Sequence, residues 1–496
     1  MPVSSPSTLL WYDLETTGTD PGRDRITQFA ALRTSHDLAE IGAPESFFCA
    51  PSLDTLPHPE ACLITAIVPQ TLLQKGLCER DFMGKINALM SVPGTCVAGY
   101  NSIRFDDEFM RYGLYRNFLD PYAREWRNGN SRWDIIDLAR MTHALRPQGI
   151  HWPEDDQGRP SFRLELLAKA NNIEQTRAHD ALSDVYATLG LARLIRNTQP
   201  RLYKFFYALR RKQNVKQQLD TGRMKPLLHV SGRYAATQQC IAVIAPLAQH
   251  PVNKNGIIVY DLSADPGLLL DLEADQIHAR VFTASDQLPD GIDRVPLKTI
   301  HLNRSPAIAP LSVLRPGDEP RLGIDLQSCM TNAQTLLQHQ NVLRDKLKRV
   351  FTSRPAIDTS DPEEQLYDAF IPDSDRPILE QIATAQPDKL AALGNRLKDP
   401  RLPELLFRYR ARNYPLSLDE DERNTWERWR LARLNDDPSG KRLTLDDYAE
   451  TLAELRNNPD LDKQQLRIIE QLEAWGKFLS QPHPESAPLD SQRINP

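Results

Sequence analysis

The sequence predicts an α/β protein in three parts: a layered α/β domain with a mixed sheet, a small β-rich or barrel-like domain, and a helical bundle. Three observations carry this. The chain has 496 residues, more than one hydrophobic core serves, and at 100 to 200 residues per domain it should hold about three. Its texture changes twice, from alternating strand and helix patterns to β-branched runs between turns, and then to charged helical periodicity. No run of about 18 apolar residues occurs, so no membrane span is expected.

In order along the chain, apolar runs predict strands at 9–15, 27–33 and 96–100. Helical periodicity marks 79–90, 106–116, 134–145, 162–171 and 181–196. That alternation suits a sheet layered with helices, and "NTQPRL", with Pro200 behind a long amphipathic helix, closes the domain 1–196. From 200 to 353 the runs "PLLHVSG", "CIAVIAPLA", "NGIIVYDL" and "LKTIHLN" predict short strands, with helices near 202–219 and 327–351. Past the linker "TSRPAIDTSDPEE", residues 356–478 are helical and charged, and the tail 479–496 has a disordered composition.

Composition narrows the function class. The 40% hydrophobic and 25% charged shares are those of a water-soluble globular chain, and the N-terminus lacks a basic-then-apolar leader, so a cytoplasmic location is expected. The six cysteines form no CxxC or Cys/His cluster, which argues against zinc and against a disulfide framework. A net charge of −6 gives no global basic signature, so any nucleic-acid contact must come from local patches.

The chemistry starts at "LLWYDLETTGTDP", residues 9–21. Strand alternation points Asp13 and Glu15 one way and Leu10, Tyr12 and Leu14 the other. Two carboxylates about 7 Å apart along one face repel unless something neutralises them. An isolated Asp-x-Glu can be a solvated edge, but "TTG" behind the pair places it at a strand end, where ligands bind. Hard oxygen donors suit Mg²⁺ or Mn²⁺. Further acids are available: Asp106 in "YNSIRFDDEF", where a helix should begin, and Asp184 in "AHDALSDVYAT", one turn into another helix with His179 just before it.

Asp-x-Glu, Asn-x₃-Phe-Asp and His-x₄-Asp, in this order, resemble the three blocks of the DEDDh exonucleases. The resemblance implies an RNase-H-like mixed-sheet fold, two metal ions (Mg²⁺, with Mn²⁺ able to substitute) held by Asp13, Glu15, Asp106 and Asp184, and His179 as general base. Such a base must be deprotonated to act. Further stretches, among them "YRNFLDPYAREWRNGNSRWDIIDLAR", "MKPLLHVSG", "LRPGDEPRLGI" and "LLFRYRARNYP", resemble the bacterial exodeoxyribonuclease I family over nearly the whole chain to about 478. This implies an SH3-like β-barrel second domain and a helical third one. It also implies 3′-5′ hydrolysis of single-stranded DNA to 5′-mononucleotides, in DNA repair and recombination, by a monomer. Thr17 stands where the best-known members carry an aromatic residue, which bears on how the terminal base stacks.

Single-strand binding needs cations for phosphates and flat side chains for bases. The stretch 111–140 interleaves both, in Arg111, Tyr115, Arg116, Tyr122, Trp126, Arg132, Trp133 and Arg140. The resemblance selects Arg111, Tyr122, Trp126 and Arg140 as DNA contacts, Arg163 as a phosphate clamp, and Glu15 as a second contact to the terminal nucleotide. It also implies that the acidic C-terminal tail of single-stranded-DNA-binding protein docks on Arg146, Lys225 and Arg321, and that Arg408, Arg410 and Arg412 brace the third domain. Two other readings stay open at this point: an exoribonuclease with the same acids, and a DNA-end-binding scaffold without turnover.

Overall fold

A computed structural model describes residues 7–175, 180–352 and 361–482. The first domain is built around β1 (Thr8–Thr16), which is apolar on both faces: Leu9 and Trp11 are buried on one, Leu10, Tyr12 and Leu14 on the other. A strand buried on both faces belongs at the centre of a sheet. β2 (Ile26–Thr34) pairs with it antiparallel and β3 (Glu45–Phe48) follows antiparallel at the edge. β4 (Thr95–Gly99) and β5 (Ser131–Asp134) add on the other side, both parallel, giving the mixed order β3-β2-β1-β4-β5.

Helices α1 (Pro59–Thr65), α2 (Pro69–Lys75) and α3 (Glu79–Met90) follow β3, and α4 (Asp106–Arg116) follows β4. α3 and α4 cover the Leu10 face through Phe82, Ile86, Phe109 and Leu114. After β5 come α5 (Ile135–Leu145), α6 (Leu164–Ala170) and α7 (Ala181–Thr198). α5 and α7 cover the Trp11 face, which is also the face of Asp13 and Glu15. The strands at the two sheet edges, β3 and β5, are absent from the sequence-based expectation. β3 is half-exposed, and β5 reads "SRWD", whose buried charges are paired within the fold rather than patterned as a strand.

The second domain opens with α8 (Pro200–Ala208) and α9 (Lys212–Gln218), two helices where 202–219 predicted one. Arg211 between them is extended, and its guanidinium donates to the Gly129 and Asn130 carbonyls instead of continuing a helix. β6 (Leu227–Val230), β7 (Ile241–Gln249), β8 (Gly256–Asp261), β9 (Leu297–His301) and β10 (Ala307–Pro310) form an antiparallel SH3-like sheet of order β10-β6-β7-β8-β9. Around it lie α10 (Gly267–Leu270), α11 (Ala274–Phe282), α12 (Asp318–Leu322), α13 (Leu326–Gln338) and α14 (Gln340–Thr352). The last two again divide a stretch, 327–351, expected as one helix. One apolar core runs without a break from Trp11 and Trp133 through Phe206 to Ile244, Ile258 and Leu347.

The third domain is helical: α15 (Arg376–Thr384), α16 (Pro387–Gly394), α17 (Leu402–Asn413), α18 (Glu420–Asn435), α19 (Leu445–Arg456) and α20 (Lys463–Leu479). Its apolar faces divide into two clusters, each completed by the first domain. Trp475 and Leu472 pack with Leu56, Cys62 and Val68, while Leu405 and Tyr409 pack with Tyr115 and Phe118. α20 runs through the buried Leu479, the first residue of the expected tail, and 483–496 lie outside the described residues.

Charges seal the same junction. Glu363 meets Arg25 at 2.7 Å and Arg412 at 2.5 Å, Glu364 meets Arg23 at 2.7 Å, and Arg412 reaches Asp54 at 2.7 Å. Arg408 takes Asp361 at 2.6 Å and Arg410 pairs with Glu422 at 2.5 Å, both inside the third domain. Among the described residues the cysteines are all free, and no helix is long and apolar enough to cross a membrane.

Candidate active site

The site forms where the odd-numbered face of β1 runs out from under its helices. Asp13 and Glu15 emerge on that face, and α7 crosses it one turn after its cap, at Asp180, whose carboxylate accepts from Ser183 N. Asp184 is thereby brought over the strand, and one carboxylate oxygen each from Asp13, Glu15 and Asp184 lies within 4.8 Å of the others. Asp106 is the first residue of α4 and is buried. It stands outside that trio but close enough for its charge to act on Asp13 and Glu15.

The electrostatics of these acids are one-sided. Burial, with Asp106, Glu15 and Asp184 around it, drives the Asp13 carboxyl well above its ordinary range. Burial and the charges of Asp184 and Asp106 push Glu15 up to about 9. Asp106 is raised by burial and by Asp107, against the pull of its own backbone amide and that of Leu14. Neighbouring Asp107 shows the contrast. Burial opposes its charge too, but Arg124 at 2.7 Å and Arg132 at 2.6 Å hold it well below the carboxylate range. The fold supplies two guanidinium groups to Asp107, and among the described residues forms no ion pair to a basic side chain for Asp13 or Glu15. Hard oxygen donors gathered this closely, with Glu15 buried and Asp13 and Asp184 half-buried, form a donor set that could hold a divalent cation.

The residues beside the acids have structural work. The register of β1 on β2 shifts between Glu15 and Thr16. Thr17 then locks the turn by donating its amide to the Arg25 carbonyl at 2.8 Å and accepting the Arg25 amide on Oγ1 at 2.9 Å. Its carbonyl accepts from His58 N at 2.7 Å. Gly18, read in sequence as a turn residue, is required for space: a Cβ there would overlap Asp24 and His58.

The other sequence-selected residues are distributed unevenly. His179 lies outside the described residues. Arg111 is buried, with its guanidinium on Glu125 at 2.8 and 3.0 Å and on Glu108 at 2.7 Å, so it would have to leave that arrangement to reach a phosphate. Tyr115, Arg116, Arg132 and Trp133, from the same interleaved stretch, are likewise buried. Tyr122 is half-buried beneath the Arg111 guanidinium, while Trp126 is 63% exposed. Arg140 is held by Asp137 at 3.0 Å and lies over Phe162. Arg163 is exposed at the start of α6 and bonds Glu165 at 2.6 Å. Arg146 and Arg321 converge on Asp318, at 4.0 and 2.9 Å, and Lys225 is exposed just before β6.

Sequence reasoning missed Gln175, whose amide donates to Asp184 at 2.6 Å, and Asp180, whose charge raises both Asp13 and Glu15. Asp180 was detectable as a cap directly before an apolar stripe. Gln175, in an irregular segment, carried no signal.

Comparison with known proteins agrees with this arrangement domain by domain. Family models match residues 10–192 as "Exonuclease", 210–353 as "Exonuclease I SH3-like domain" and 360–479 as "Exonuclease I C-terminal domain". Exodeoxyribonuclease I of Escherichia coli K12 is 43% identical over 467 residues, 94% of this chain and 97% of that protein. Among solved structures, a moderately thermophilic exonuclease I from Methylocaldum szegediense superposes with a TM-score of 0.91 at 49% identity, over 96% of this chain and all of the other. A zinc-bound E. coli exonuclease I complex with single-stranded DNA gives 0.90 at 42% identity, again over 96% of this chain and all of the other. A structure of exonuclease I with SSB and the inhibitor CFAM gives 0.88 at 41%, with the same coverage.

Proposed function

The chain belongs to the exonuclease I family, and on that premise we propose that it removes nucleotides from the 3′ end of single-stranded DNA, releasing 5′-mononucleotides during repair and recombination. The observation that carries the reading is the meeting of Asp13, Glu15 and Asp184 from a strand end and a crossing helix, with Asp106 beside them. Asp13, Glu15, Asp106 and Asp184 would hold two Mg²⁺ ions, with Mn²⁺ able to substitute. When bound, such ions neutralise phosphate charge and lower the pKa of the attacking water. His179 takes the water's proton as general base, and Glu15 also meets the terminal nucleotide.

The strand is bound by Arg111, Tyr122, Trp126, Arg140 and Arg163. Trp126 is the strongest member of this set, because an aromatic ring exposed to solvent leaves a face open for stacking. Trp126→Ala is expected to raise KM for a single-stranded oligonucleotide about tenfold with kcat nearly unchanged. An unaltered KM removes Trp126 from the contacts. The cations around Asp318, Arg146 and Arg321, with Lys225, suit the acidic tail of a single-stranded-DNA-binding protein. A monomeric state and a cytoplasmic location belong to the same proposal.

The test uses end-labelled single-stranded DNA, double-stranded DNA and RNA of one sequence, each with Mg²⁺ and with EDTA. Mononucleotides released from the 3′ end of the DNA single strand, in Mg²⁺ alone, are expected. Preferential RNA degradation would make the protein an exoribonuclease, and binding without products a scaffold.

A further inference from the structure

Asp134 stands outside the carboxylate cluster, yet its side chain is directed at the turn that delivers Asp106 to it. β4 and β5 run parallel with Gly99 beside Asp134, so the carboxylate at the end of β5 lies alongside the β4–α4 turn. Its Oδ1 accepts from Asn101 N at 2.8 Å and, as the cap of α5, from Ile136 N at 3.2 Å; its Oδ2 accepts from Ile103 N at 3.2 Å. One helical turn on, Asp137 takes the Arg104 guanidinium on both oxygens, at 3.2 and 2.8 Å. Residues 101, 103 and 104 of the turn are therefore all held from the start of α5.

The turn needs such support. Asn101 sits at φ 59°, in the left-handed region that residues other than glycine rarely occupy. Gly99 approaches Ser102 and the Tyr12 carbonyl so closely that a Cβ would overlap them. The turn's own bonds, from Arg104 N and Phe105 N to the Asn101 carbonyl at 3.2 and 3.3 Å and from Asp107 N to the Ser102 carbonyl at 2.8 Å, close it on itself but do not tie it to the sheet, and the carboxylate of Asp106 follows wherever it is anchored.

We propose that Asp134 is a positioning residue for the nuclease reaction, fixing through the Asn101 and Ile103 amides where Asp106 enters the metal cluster. The proposal rests on the reading of Asp106 as a metal ligand. A ligand held off its place weakens cation binding before it weakens DNA binding, and this separates positioning from general destabilisation.

Asp134→Ala, Asp134→Asn and Asp106→Ala in the full chain are compared for half-activating Mg²⁺ concentration, kcat, KM for single-stranded DNA and thermal midpoint. Asp134→Ala should raise the Mg²⁺ requirement about tenfold or more and lower kcat, with KM for DNA unchanged. Asp134→Asn, which keeps an acceptor at Oδ1 and loses the one facing Ile103, should shift the requirement about threefold, as loss of one hydrogen bond implies. A folded Asp134→Ala with the wild-type Mg²⁺ requirement overturns the proposal. If Asp134→Ala does not fold, a wild-type requirement in Asp134→Asn overturns it equally. Asp106→Ala identifies the other failure: if that variant keeps its activity, the ligand reading is wrong.

Discussion

Asp13→Asn is expected to lower turnover on single-stranded DNA by about a thousandfold or more, the loss of several kcal/mol of transition-state stabilisation. The same substitution should raise the thermal midpoint in EDTA. Burial and the charges of Asp106, Glu15 and Asp184 all oppose the Asp13 carboxylate, so the neutral amide relieves a cost that the native acid carries without a cation. Added Mg²⁺ should then stabilise the variant less than it stabilises the wild type. Initial rates on a labelled oligonucleotide, with melting curves in EDTA and in Mg²⁺, measure all three effects. Turnover within tenfold of wild type would exclude Asp13 from the metal set, and a lower midpoint in EDTA would show that its charge is not opposed.

The second large effect is structural. Glu363 is fully buried among Arg25, Arg408, Arg412 and Arg433, and Glu363→Ala leaves those guanidinium groups short of a partner, at an expected cost of about 3–5 kcal/mol. Burial opposes the charge of Glu363, yet Arg412, Arg25, Arg433 and Arg408 overcome it and hold the group well below the carboxylate range. Asp54 is lowered in the same way, burial being outweighed by Arg412 and Arg433. A carboxylate depressed in the folded state binds fewer protons there than in the unfolded chain, so its stabilisation is full above the unfolded value and disappears as pH falls through the folded one. The wild type should therefore lose stability below about pH 4, and Glu363→Ala should lose less over the same interval. Melting midpoints between pH 3 and 7 test this; a destabilisation that is small and independent of pH would mean that the junction does not depend on Glu363.

The cluster of Asp13 and Glu15 was readable because their spacing breaks an apolar strand in a way that hydrophobic patterning does not explain. The same patterning located β1, β2 and β4, since central strands are apolar by necessity. It failed at β5, because "SRWD" is buried through charge pairing with Asp107 and capping of α5, and pairing across the chain leaves no periodic trace. The interleaved Arg and aromatic stretch is ambiguous in sequence for a related reason. Sequence shows a cation, but not that Glu125 or Asp107 will neutralise it, so Arg111 and Arg132 look as available as Trp126 until the fold is known. Thr17 reverses the situation: read in sequence as standing in the place of an aromatic, it also serves as the rung that ties the end of β1 to Arg25.

The apolar core that passes without a break from Trp11 to Leu347 separates ancestry from mechanics. Family boundaries divide residues 10–192 from 210–353 as inherited modules, but a shared interior makes them one cooperative body. Two modules that share an interior should unfold in a single transition, because neither keeps its core when the other opens.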